Sequence, residues 1–94
     1  MIDVNQVKEI IRRFEEREGV RGVIICDSSG LPIKANLPID QTEEVSAYIT
    51  ALIGKSRQVV DALKEGHLKF IRLETSKGEV MVAIEENLIL IILK

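Results

Sequence analysis

Cysteine and histidine occur once each in this chain, as Cys26 and His67, and that scarcity removes most metal and nucleophilic chemistry at once. One of each cannot supply the four protein ligands of a structural zinc site. A single cysteine forms no internal disulfide, and a free thiol in so apolar a stretch as Val23-Ile24-Ile25-Cys26 suits a reducing cytoplasm. A Cys26–His67 catalytic pair would need an orienting third group, and no basic neighbour in sequence activates the thiol. Aromatics are limited to Phe14, Tyr48 and Phe70, and the thirteen Lys and Arg are interspersed with fifteen acids for a net charge of −2. No basic stripe neutralises a phosphate backbone, so nucleic acid is excluded as a partner. The longest apolar run is the six residues Leu88 to Leu93, far short of the roughly 20 that span a bilayer. The start MIDVNQVKEI has acids where a signal peptide has bases. A cytoplasmic protein that does not insert into membranes is expected.

Phosphate-binding loops are missing too. Gly19-Val20-Arg21-Gly22 and Asp27-Ser28-Ser29-Gly30 are too short and lack the lysine such a loop needs. Asp3, Asp40 and Glu43 read as helix caps, and Glu85 and Glu86 as solvated turn residues. The residues argue for no enzyme, no cofactor and no metal.

What is present is a core of branched aliphatics, since 46% of the chain is apolar. Residues 1–94 are expected to form one domain. Asp3 as cap, Gln6 as its capping-box partner and Ile2 stapled onto Val7 open a first helix. Its apolar positions are Val4, Val7, Ile10, Ile11 and Phe14, and it should stop near Glu18, before Gly19. A turn at Asp27–Gly30 joins the strand Val23–Cys26 to Leu31–Asn36. Pro32 cannot donate to a ladder and sends that second strand to a sheet edge. A long helix follows from a capping box at Asp40 and Glu43 to Glu65, with Gly66 as its stop. Three strands, His67–Thr75, Glu79–Glu85 and Leu88–Leu93, then form an antiparallel meander. The first and last strands are apolar on both sides, which places them together mid-sheet.

The long helix has two faces of interest. At ~100° per residue, Val45, Tyr48, Ile49, Leu52, Ile53, Val59, Val60 and Leu63 share an arc with Ser56 as its only polar member; this arc is expected to meet the sheet. On the other side lie Ala47, Thr50, Ala51, Gly54, Gln58 and Asp61, where a charge-rich protein should show Lys and Glu. Gly54 there costs ~1 kcal/mol relative to Ala. The strip reads either as a lightly decorated solvent face or as a close contact with another helix, from a second copy or another protein. The second reading is preferred. The strand around Phe70, Ile71, Arg72 and Leu73 is expected at an exposed edge, with Ile71 offering an amide to a partner strand.

The order of elements and the hairpin Gly19-Val20-Arg21-Gly22-Val23-Ile24-Ile25-Cys26-Asp27-Ser28-Ser29-Gly30-Leu31-Pro32-Ile33 resemble the roadblock/dynein light chain family, over essentially the whole chain. That resemblance implies an α/β (α+β) fold, α-β-β-α-β-β-β, with a five-stranded antiparallel sheet in the order 2-1-5-4-3 and helices on both faces. Many members add a C-terminal helix; a chain ending at Lys94 is expected to be a minimal version that leans on its first helix. The resemblance further implies a homodimer joined through the long helix and third strand, with Ala47, Ala51, Gly54 and Phe70 to Leu73 at the interface. It also implies non-catalytic regulation or scaffolding of a Ras-like small GTPase. The alternative is a structural dimerisation subunit of a larger cytoplasmic assembly, a motor or signalling complex, without a GTPase.

Overall fold

A computed structural model describes residues 4–94. Helix α1 spans Val4–Glu15, strands β1 and β2 span Gly22–Asp27 and Pro32–Ala35, and helix α2 spans Ile39–Leu63. Strands β3, β4 and β5 follow at Phe70–Glu74, Glu79–Ile84 and Leu88–Leu93. All five strands are antiparallel in one sheet, in the order β2-β1-β5-β4-β3. The doubly apolar strands β1 and β5 lie mid-sheet, aligned from Gly22–Leu93 to Asp27–Leu88. Period-two alternation then sends their side chains to two separate cores. Val23 and Ile25 pack with Val7 and Ile11 of α1. Ile24, Cys26, Ile89, Ile91 and Val82 pack with Ile49 and Ile53 of α2 on the opposite face. The helices thus cover both faces, each lying mainly over β1 and β2. β4 is mostly half-buried and β3 largely exposed.

The ends of the helices differ from expectation. α1 finishes at Glu15, three residues before Glu18, although Gly19 does take a left-handed φ of 84°. The expected cap at Asp3 and staple from Ile2 lie outside the described residues, as do the side chains of Val4 and Phe14. α2 is preceded by Pro38, with no side-chain cap; Asp40 sits in its first turn, not at its cap. The helix stops at Lys64 instead of Gly66. Lys64 itself adopts φ 57°, and the Lys64 and Glu65 amides donate back to the Asp61 and Val60 carbonyls. Those bonds satisfy terminal carbonyls that would otherwise be orphaned, which offsets a left-handed lysine.

The buried line of α2 is Thr42, Ser46, Ile49 and Ile53. It is rotated from the arc expected around Val45: Val45 and Leu52 flank the core, whereas Tyr48 is 67% and Val59 57% exposed, and Leu63 is exposed as well. Both buried hydroxyls find a partner: Ser46 faces the sheet and accepts the Cys26 thiol at 3.3 Å, and Thr42 donates to the Leu37 carbonyl in the segment that leads into the helix. Buried hydroxyls are tolerated when bonded in this way.

Candidate interaction surface

The β1–β2 turn shows how one end of the sheet is closed. The Asp27 carboxylate accepts bonds from the Ser29 amide and hydroxyl and from the Leu31 amide, and the Gly30 amide donates to the Asp27 carbonyl. The Ser29 hydroxyl and then the Leu31 amide hold this carboxyl below the ordinary aspartate range. Gly30 has φ 93°, and a Cβ there would overlap the Thr50 hydroxyl. Thr50 in turn donates to the Ser46 carbonyl at 2.7 Å. Helix α2 therefore clamps the hairpin, and glycine is required at position 30 for both conformation and space. Beyond the turn, β2 lacks one amide hydrogen at Pro32, and its register with β1 slips by a residue between Ile25 and Cys26. A proline and a bulge both spoil an edge for pairing.

The opposite edge, β3, carries no such device. Phe70 is 50% and Leu73 38% exposed, with Ile71 half-buried and Arg72 exposed. Paired groups alternate along an antiparallel ladder. Thr75 exchanges bonds with Gly78, and the Ile84 amide donates to the Lys69 carbonyl. With the register from Phe70–Ala83 to Glu74–Glu79, odd-numbered residues therefore bond toward β4, and Phe70, Arg72 and Glu74 present their amides and carbonyls outward. This corrects the expectation for Ile71, whose amide belongs to the ladder with Val82. Arg72 lies between two acids, with Nη2 3.1 Å from Glu74 and Nε 2.6 Å from Glu79.

The outer face of α2 is open. Ala47, Ala51, Gly54, Gln58 and Asp61 are exposed, and a Cβ added at Gly54 would meet nothing within 4 Å. Thr50 is the exception in the strip: half-buried, it is committed to the hairpin clamp. Tyr48, Val59 and Leu63 border the strip as exposed apolar residues that the sheet does not cover. A hollow of about 430 Å³ between the turn and α2 is lined by Leu31, Pro32, Ala47 and Thr50 among others.

Cys26 and His67 play separate parts. The thiol is buried on β1, and desolvation pushes its pKa up; His67 is exposed between α2 and β3. Among the described residues no three His, Cys, Asp or Glu side chains are grouped to hold a metal, and no helix is long and apolar enough to cross a membrane. Glu85 and Glu86 are exposed.

The Roadblock/LC7 domain model matches residues 6–94. The chain belongs to this family. Solved structures agree on the fold. A Roadblock/LC7 domain from Streptomyces avermitilis is similar with a TM-score of 0.76 at 13% identity, over 84% of this chain and 68% of that one. MglB from Myxococcus xanthus reaches 0.85 at 12% identity, over 97% and 76%. The gliding protein MglB from Thermus thermophilus reaches 0.83 at 10%, over 98% and 74%. In this roadblock domain the hairpin motif has a local physical meaning. A Cβ at Gly22 would meet Leu37 at 2.9 Å, Asp27 builds the turn, and Gly30 lets α2 clamp it. The residue on the other side of that clamp, Thr50, and the buried Ser46 were missed as structural groups. Their signal was the four-residue hydroxyl spacing Thr42, Ser46, Thr50.

Proposed function

We propose that this roadblock domain is a non-catalytic, homodimeric regulator or scaffold of a Ras-like small GTPase in the cytoplasm. Family membership across residues 6–94 carries the reading. The open β3 edge and the bare outer face of α2 support self-association, because both expose apolar or backbone groups that a second surface would cover. A regulator without a reacting group acts through differential affinity: it must bind one nucleotide state of its partner more tightly in order to shift that partner's population.

The test is titration of the purified domain with small GTPases of the source cell, each loaded with GDP or with a non-hydrolysable GTP analogue. Tighter binding to the GTP-analogue form of one of them is expected. A dimer that binds neither form would favour the structural-subunit reading instead, and phosphate release from GTP by the domain alone would overturn the non-catalytic assignment.

A further inference from the structure

We propose that the cavity beneath the first two turns of α2 is a binding site for a small uncharged molecule. The class of ligand is one apolar ring or branched chain with at most one hydroxyl or carbonyl group. The cavity holds about 120 Å³ between Ile24 and Ile91 of the central strands, Val80 of β4, Val45 of the helix and Leu37. Gln41, exposed on the helix, supplies the polar side chain of the lining. No residue of β3 and none of the small strip on α2 lines it, so the proposal does not depend on the homodimer reading.

The space originates in one residue of the hairpin motif. Gly22, Leu93 and Val80 stand in one row across β1, β5 and β4. Alternation puts that row on the α2 side of the sheet, with Ile24 and Cys26. Gly22 brings no side chain to the row, and Leu37 leans over it, at 2.9 Å from where a Cβ would stand. Such a space costs stability unless its walls can relax into it. These walls are tied. Just before Leu37, the Asn36 amide donates to the Val23 carbonyl at 3.1 Å, and the Val23 amide donates to the Asn36 side-chain oxygen at 2.7 Å. The Thr42 hydroxyl holds the Leu37 carbonyl, its amide holds the Pro38 carbonyl, and Ser46 fastens the next turn of α2 to Cys26.

The lining sets the chemistry of the ligand. An apolar cavity of about 150 Å³ lined by aliphatic side chains excludes water and accepts benzene, whereas drug-sized ligands need roughly 300 Å³ or more. At about 120 Å³ this site fits a guest near the size of benzene. Arg, Lys, Asp and Glu are all missing from the lining, so a charged guest would be desolvated without a partner. The Gln41 amide offers one donor group and one acceptor, which suits a single hydroxyl or carbonyl.

The test is a titration of the ¹⁵N-labelled domain, in its native oligomeric state, with benzene, benzyl alcohol and benzoate. Benzene and benzyl alcohol should give saturable amide shifts centred on Gly22, Ile24, Val45 and Val80. Benzoate should bind about tenfold more weakly or worse, because its charge finds no partner. Val80→Phe, and the milder Val80→Leu, place side-chain volume in the cavity and should reduce or abolish the benzene shifts, with circular dichroism confirming the fold. Absence of saturable shifts at these amides would overturn the site. Equal binding of benzoate and benzene would overturn the ligand class, as would benzene shifts that persist unchanged in both folded Val80 variants for the location.

Discussion

The two edges of this sheet are built on opposite principles. At β2, a proline, a bulge and a turn clamped beneath α2 leave little for another strand to use. At β3, alternate amides and carbonyls face outward beside Phe70 and Leu73, and among the described residues no other element pairs with them. Edge strands are a liability that proteins normally blunt. Blunting one edge with a proline and a bulge, and the other only with the charges of Arg72 and Glu74, teaches that substitutions at the first should be read in folding stability, and substitutions at the second in association.

The largest expected effect lies on the closed side. Gly30→Ala forces a left-handed alanine into the Thr50 hydroxyl, and strain plus overpacking should cost about 2–4 kcal/mol of stability in urea denaturation. A loss below about 0.5 kcal/mol would mean that the turn moves freely off the helix.

On the open side, Arg72→Pro removes an outward amide from each copy while sparing the ladder to β4. Dimer dissociation, followed by light scattering on dilution, should weaken by about 1–3 kcal/mol, the sum of two lost backbone bonds. Ile71→Pro should behave differently, because it breaks the bond to Val82 and lowers the unfolding midpoint of the chain itself. Similar behaviour of the two variants would erase the alternation deduced for β3.

Gly54 sharpens the same comparison on the helix. With open space where a Cβ would sit at Gly54 in one copy, Gly54→Ala should stabilise the folded chain by up to ~1 kcal/mol. Gly54→Leu should instead weaken association by about 1–3 kcal/mol through overpacking of a close helix seam. Equal dissociation constants for wild type, Ala and Leu would take α2 out of the interface.

The smallest effect is electrostatic. The Asp27 carboxyl has a folded pKa below its unfolded value. Its contribution is therefore present above the ordinary aspartate value of about 3.9 and is lost as pH falls through the lower, folded value. Stability of wild type over Asp27→Asn should shrink on acidification from pH 5 to pH 2. A constant difference over that range would show that the hydrogen bonds do not depend on the charge.

Much of this arrangement was legible in the residues themselves. Leu88 to Leu93 has no polar side chain, so its boundaries and its central place follow from desolvation alone, and Pro32 marks an edge by its missing hydrogen. The rotation of α2 was not legible, because an apolar arc around Val45 and a hydroxyl line through Thr42 and Ser46 compete for the same sheet. Which one wins depends on how near the helix comes, a tertiary distance that no periodicity contains. Lys64 ending the helix two residues before Gly66 has a related cause: carbonyl capping offset the backbone strain that a search for glycine assumes. The strip on α2 stands out in the sequence as a gap in charge, but Thr50 within it serves the hairpin, a use visible only once Gly30 is placed beside it.

Pro32 has a consequence for stoichiometry. A sheet that can be extended at both ends is a monomer unit for a fibre, since each added copy offers a fresh end. A sheet with a single usable end is consumed by its first joining, and what remains exposed is a proline and a bulge on either flank. For the dimer proposed above, growth by strand pairing at β3 would terminate at ten strands, twice the five of one sheet, and any larger assembly would be made by faces, not edges.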